Sequence, residues 1–498
     1  MKHLFKNLLL IGALLLGFAA CSDNDDEPEA PAEVQLLTFG FFAEDNPDVL
    51  FKDYEAIVKE NAFSIALPKE IDKTSLIARF TVGDNDEVTV NEVVQVSGVT
   101  ANDFTSPVDY ILTEKKTNKK YTVTVSKEAP GVWTLMPKFI NDSAMECVLK
   151  VNPVDNLPYI AYKMNKDASA DEKAAMIVFK NGQWTQVGAA GGFSNGRVTG
   201  VDFAFDNAGK PYVVYSDYTN MLSGKATNTT SVRKFDGSAW VKVGESDGIT
   251  DVKTAKSAIA IKTDNHPIVF NMNELAATLA KRELNISEFN GSAWTTSVSM
   301  PGRPATSGAN SFTAKRVKNT VYLGVFNYIS GSNSFSVYKL ENNSWSVIAD
   351  NVRDESASTC NIRDFDMDVD AKGNVFVIIA DNGPDQGSIY KPRVMKLDHE
   401  SKAWSNVGNQ IEMNIDQSRE FSMAVSPTGI PYVFYRNESN HPTLVYLDSD
   451  SKQWTEPQVL AQEEASMLSI DFASDGVGYV CYGNDKDCMI VYQYALPE

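Results

Sequence analysis

Histidine is nearly missing from this sequence: four occur in 498 residues, at His3, His266, His399 and His441. None sits in a serine or cysteine motif that would activate a nucleophile, and the last three fall in turns or polar loops where a solvated ring is the ordinary state. Cysteine is also scarce, with five residues and no His or Cys pair at metal-ligand spacing, which leaves neither a zinc site nor a disulfide scaffold. No GxSxG, HExxH, phosphate loop or nucleotide fingerprint is found, so the motifs offer no catalytic residue, metal or cofactor. The acidic run Asp23–Glu27 lacks the glycine and terminal glutamate spacing of a calcium loop. Basic residues number 45 against 65 acidic ones, a net charge of −20, and such a field opposes nucleic acids and anionic membranes. It also disfavours strongly acidic glycans, unless a local basic patch overrides it.

The one membrane signal is at the start. Residues 1–20 read as a signal peptide: basic Lys2 and Lys6, an apolar run from Leu8 to Phe18, and small Ala19 and Ala20, too short for a comfortable span. The text Phe18-Ala19-Ala20-Cys21 resembles the lipobox of bacterial lipoproteins, which implies acylation of Cys21 and firm anchoring by several chains. Ser22 to Glu27 resembles the acidic tag that directs Bacteroidetes lipoproteins to the outer face of the outer membrane. Removing Lys2 and Lys6 takes the charge from −20 to −22. Residues 21–33, rich in Asp, Glu, Pro and Ala, then form a lipidated cysteine and flexible tether.

From 34 to 127 short alternating runs separated by turn residues predict a small antiparallel β-sandwich. The stretch from Val96 to Val125 resembles the small immunoglobulin-like modules that follow the tether in such lipoproteins. Glu128 to Gly131 marks a boundary.

The strongest signal is an internal repeat. All seven tryptophans fall in register, at 133, 184, 240, 294, 345, 404 and 454, in phrases such as FKNGQWTQVG, KFDGSAWVKVG and EFNGSAWTTSV. Between them recurs a turn and an aromatic strand, as in AGKPYVVY and TGIPYVFY. Four strands in a period of about 50 residues make a propeller blade. The expectation is an all-β chain whose residues 131–498 form a seven-bladed β-propeller. The Trp133 strand should complete the last blade by pairing with the strand MIVYQYA near residue 490, removing open sheet edges. The tryptophans read as architectural packing on outer strands.

Propellers usually bind through the loops between second and third strands and through the links between blades. Here those loops carry Asp217 and Tyr218, Asn271 and Asn273, Asn327 and Tyr328, Asp381, Asn382 and Tyr390, and Arg436, Asn437 and His441. From this set Asp217, Tyr218, Asn273, Tyr328, Asp381, Tyr390 and Arg436 are the candidate ligand-binding residues, a mixture of rings and hydrogen-bonding groups that suits carbohydrate. Arg197, Lys256, Arg363 and Arg419, at the starts of first strands, either give a cationic spot at the channel mouth or pair with Asp364 and Glu420. Cys481 and Cys488 flank a hairpin turn in which counting outward sets them opposite each other; a disulfide and two buried thiols both fit. The leading reading is a non-catalytic, outer-membrane, lipid-anchored surface protein that binds glycan or polysaccharide, resembling the auxiliary proteins beside outer-membrane glycan importers. A polysaccharide hydrolase or lyase using loop carboxylates, and a protein-interaction or adhesion scaffold, are the alternatives.

Overall fold

The computed structural model describes residues 36–495 apart from 37, 48, 70, 84–85, 115–116, 128–130, 140–142, 166–171, 223, 275–281, 298–299, 301–302, 304–307, 329–332, 353–361, 382–390, 412–419 and 485–488. The signal, Cys21 and the tether therefore lie outside the described residues, as do Cys360, Asn382, Tyr390, Arg419 and Cys488.

The first unit is a sandwich of two sheets. One runs Tyr54–Glu55, Thr38–Phe41, Leu76–Thr81, Ala101–Asn102; the other Ile57–Lys59, Ala62–Leu67, Thr117–Lys127, Val108–Glu114, Glu87–Val90, Val93–Val94. Alternation decides which side chains go inside: in Ala62–Leu67 only Phe63, Ile65 and Leu67 are buried. They meet an aromatic core in which Phe39 lies 5.1 Å from Tyr110 and Phe41 4.9 Å from Phe104, centroid to centroid. One pairing differs from the all-antiparallel expectation, since Ala62–Leu67 lies parallel to Thr117–Lys127.

The remainder forms seven four-stranded antiparallel sheets arranged as a propeller. Blade one is typical: Ser143–Val151 innermost, then Pro158–Asn165, Ala174–Lys180 and, outermost, Gln183–Gln186. The seven innermost strands are Ser143–Val151, Val198–Phe205, Thr254–Ile261, Gly308–Val317, Ile362–Val369, Phe421–Val425 and Ser466–Phe472. Each touches the next and the last touches the first, so the ring closes. Its seventh sheet is composite, with Val132–Leu135 paired onto Ile490–Ala495 and Trp133 opposite Tyr494, as the repeat predicts. Six of the seven innermost strands carry a register shift near their first residues, a repeated bulge that re-aims side chains towards the axis.

Each tryptophan sits on, or bridges to, the outer edge of its blade, and three donate from Nε1 to a carbonyl of the preceding blade: Trp184 to Pro137 at 2.9 Å, Trp240 to Val187 at 2.8 Å and Trp294 to Val243 at 2.7 Å. The residue after Val187, Gly188, has a φ of 86°, and a Cβ there would come within 2.8 Å of the Trp240 ring. The recurring phrase W-x-x-V-G is therefore an address, the Val-Gly step of one blade receiving the indole of the next.

The sandwich docks on short turns of blades six and seven. Lys69 Nζ lies 2.6 Å from Asp448 Oδ2, Lys127 Nζ lies 2.7 Å from Asp450 Oδ1, and Phe51 covers Gly476. These turns join first to second and third to outer strands, so they belong to the face opposite the long loops. The Lys69 ammonium, hydrogen-bonded to Asp448, holds that carboxyl well below the usual carboxylate range.

The hairpin of blade seven corrects the pairing expected for Cys481. Its register sets Cys481 opposite Val491, where counting outward from the turn places Cys488. The Cys481 thiol is free and fully buried in the core between blades seven and one.

Candidate functional site

The innermost strands enclose a cavity of about 420 Å³ lined from all seven blades. Blade five shows why it is polar. In the run Asp364-Phe365-Asp366-Met367-Asp368-Val369, Phe365, Met367 and Val369 pack between blades, so period-two alternation turns the three carboxylates to the axis.

Deeper in the channel the carboxylates join one blade to the next. Backbone amides donate to them: Ile259 N to Asp202 at 3.1 Å, Met423 N to Asp366 at 3.0 Å, Val425 N to Asp368 at 2.7 Å and Val151 N to Asp471 at 2.8 Å. Lys150 pairs with Asp202 at 2.6 Å, and Lys315 with Asp368. Burial pushes Asp366 up to about 6 and raises Asp471 as well. With their oxygens occupied, these groups hold the ring together.

The mouth on the long-loop side is less committed. Glu146 accepts from the bulge amide of Gly200 at 2.6 Å, and Glu420 from that of Met467 at 2.8 Å. Asp364 is pushed up to about 7, chiefly by burial and further by Asp366, with Lys256 and an amide opposing. Lys256 comes from blade three and Asp364 from blade five; desolvation lowers the lysine's pKa, and the charge of Asp364 opposes the shift.

At the blade-two edge of this mouth, Arg197 and Tyr218 form a built pair. Tyr218 N donates to Arg197 O at 3.0 Å, and the Arg197 guanidinium lies 5.1 Å from the Tyr218 ring centroid. Arg197 Nε is 3.0 Å from Glu172 Oε2, which lies 2.9 Å from the buried Lys163 Nζ. Lys163, hydrogen-bonded to it, and then Arg197 keep the Glu172 carboxyl below its ordinary value, against burial.

The other loop candidates separate. Asp217 departs from expectation: it is 1% exposed and accepts from Thr219 N at 2.8 Å and Thr219 Oγ1 at 2.6 Å, so it shapes its turn instead of facing solvent. Asn271 and Asn327 are likewise fully buried, Asn271 donating to Ser257 and Asn327 accepting from Arg303. Arg436 is half-buried and donates to Ala465 O and Asn440 Oδ1, each at 3.1 Å, which makes it a loop anchor. Asn273 and Tyr328 are half-buried. Asp381 continues its strand opposite Ile362 and Lys391, and its side chain, like that of Arg363, lies outside the described residues with all of Tyr390. Glu172 and Lys163 at the mouth, and Asp366 and Asp368 deeper in the channel, were not singled out in the sequence; for the aspartates the alternation DFDMDV was the available signal.

Residues 49–125, within the sandwich, match the family model of the SGBP N-terminal domain, SGBP being the surface glycan-binding proteins. That match supports a glycan-binding surface protein of the Bacteroidetes type. No curated protein matches the chain in sequence. Similar solved structures include an ulvan lyase, a polysaccharide lyase, at 13% identity and a TM-score of 0.48, covering 73% of this chain and 96% of that one. A Penicillium chrysogenum α-L-arabinanase complexed with arabinobiose follows at 9% and 0.41, covering 60% and 93%. A protein of unknown function from Dyadobacter fermentans follows at 11% and 0.39, covering 74% and 98%.

Proposed function

We propose that this chain is a lipid-anchored protein of the outer cell surface that captures polysaccharide on the long-loop face of its propeller and does not cleave it. The observation that carries the reading is the glycan-binding family match across residues 49–125. The docking of that sandwich supports it: its ion pairs fall on the short-turn face, which leaves the channel mouth and long loops turned the other way. An anchor at Cys21, on the sandwich side, would then present the mouth outwards, towards glycan and an outer-membrane importer. The test is binding of the soluble chain, from Ser22 onward, to a glycan array, with product analysis on every hit. Saturable binding without released product is the expected result; silence across a broad array would overturn the reading in favour of a protein-interaction scaffold.

A glycan-cleaving enzyme is the second reading, and one observation favours it. Asp364, titrating at about 7 across the mouth from Lys256, has the proton affinity of a general acid or base at neutral pH. Released oligosaccharide that disappears in Asp364→Asn would establish it.

A further inference from the structure

We propose that Arg197, standing on Tyr218 at the rim of the channel mouth, receives one acidic group, a carboxylate or a sulfate, of the bound glycan. The inference rests on the glycan reading above and names the class of sugar.

The guanidinium is held in place from two sides. Arg197 directly precedes the innermost strand Val198–Phe205 and Tyr218 directly follows the strand Pro211–Asp217, so the blade's sheet holds both backbones side by side. Glu172 engages Nε alone and is itself held by Lys163, whose side chain is only 6% exposed. The two terminal nitrogens have no other partner among the described residues, while the Arg197 side chain is 48% exposed. An arginine tethered through Nε and lying on a ring has its outer fork pre-set for two parallel bonds to an oxyanion.

The aromatic partner supplies the second half of a sugar subsite. Tyr218 is 40% exposed, an unusual state for a large ring in a blade whose other tyrosines, Tyr212 and Tyr215, are buried. An exposed ring with a cation against it offers a surface for a pyranose and a charge for its acidic substituent. Lys256 is the next cation around the rim: Gly200, three residues beyond Arg197, abuts the backbone of Ala255 and Lys256 on the adjoining blade. At contact distance a single exposed guanidinium outweighs the diffuse field of the −20 chain, which is screened within about 8 Å at physiological salt.

The test uses the soluble chain from Ser22 onward and three immobilised polymers: polygalacturonate for carboxylates, dextran sulfate for sulfates, and neutral dextran. The expected result is salt-sensitive binding to one or both acidic polymers, weakened at least about tenfold by Arg197→Gln, as loss of a charge-assisted bond implies. Tyr218→Leu, at an exposed position, should weaken it as well, and Lys180→Gln on the opposite face should leave it unchanged. Response to polygalacturonate alone or dextran sulfate alone identifies the acidic group. Acidic binding that ignores Arg197→Gln overturns the inference, as does array binding confined to neutral glycans, which would leave the capture reading intact. Binding to no glycan at all would overturn both.

Discussion

Trp240 rests its indole on Gly188, a residue of the preceding blade, and donates its Nε1 proton to the carbonyl of Val187 at 2.8 Å. That contact joins blade to blade around the rim and depends on the absence of a side chain at residue 188.

Gly188→Ala should therefore lower stability by about 2–3 kcal/mol, combining the cost of an unfavourable backbone with a clash. Gly182, with a φ of 79° and nothing within 4 Å of the position a methyl would take, is the control: Gly182→Ala should cost only about 1 kcal/mol. Urea unfolding of both variants separates strain from packing, and equal losses would show that the indole contact contributes nothing.

Stability should rise as pH falls from 8 to 5. Asp366 and Asp364 are pushed up to about 6 and about 7, above the roughly 3.9 of an unfolded aspartate, so folding favours their neutral forms. That contribution is complete below about pH 4 and is lost as pH climbs through 6 and 7. Its size is on the order of 1–3 kcal/mol. Asp366→Asn, which keeps an oxygen for the Met423 amide, should flatten the difference in urea midpoint between pH 5 and pH 8. An unchanged slope would contradict the assignment.

Asp448→Ala should free the sandwich from the propeller while changing global stability by no more than about 1 kcal/mol, because Lys69 is about a third exposed and water screens the pair. Small-angle scattering would report the release as a broader distribution of dimensions. An unaltered scattering curve would mean that Phe51 and the Lys127 pair suffice.

Cys481 should resist alkylation in the native state and react fully in urea, since its thiol is free and buried beside Val491. Loss of reactivity in both states, restored by a reductant, would indicate that it is oxidised.

Architecture was legible in this sequence because a propeller writes itself many times over. Seven tryptophans at similar spacing and a repeated PYVVY-like strand set the period, and the split blade at Trp133 and Tyr494 followed from it. The site was less legible, because a loop residue's role depends on where its backbone turns. Asp217 and Tyr218 are neighbours in sequence, yet one is spent on its own turn and the other faces solvent under Arg197. Cys481 shows the same limit: the strand register sets it opposite Val491, and residue types around a turn do not fix that register.

The strand Val132–Leu135 is made early and used last. The Gly131 amide donates to the hydroxyl of Tyr494, a partner 363 positions away, so during synthesis or export this strand must wait, unpaired, until almost the whole ring exists. A chain interrupted before Ile490 would keep two open sheet edges, the feature that chaperones and proteases recognise and that drives edge-to-edge association. Closing the ring by joining strands 363 positions apart thus makes the fold a checkpoint on synthesis: only a chain that already carries Ile490–Ala495 can hide its edges.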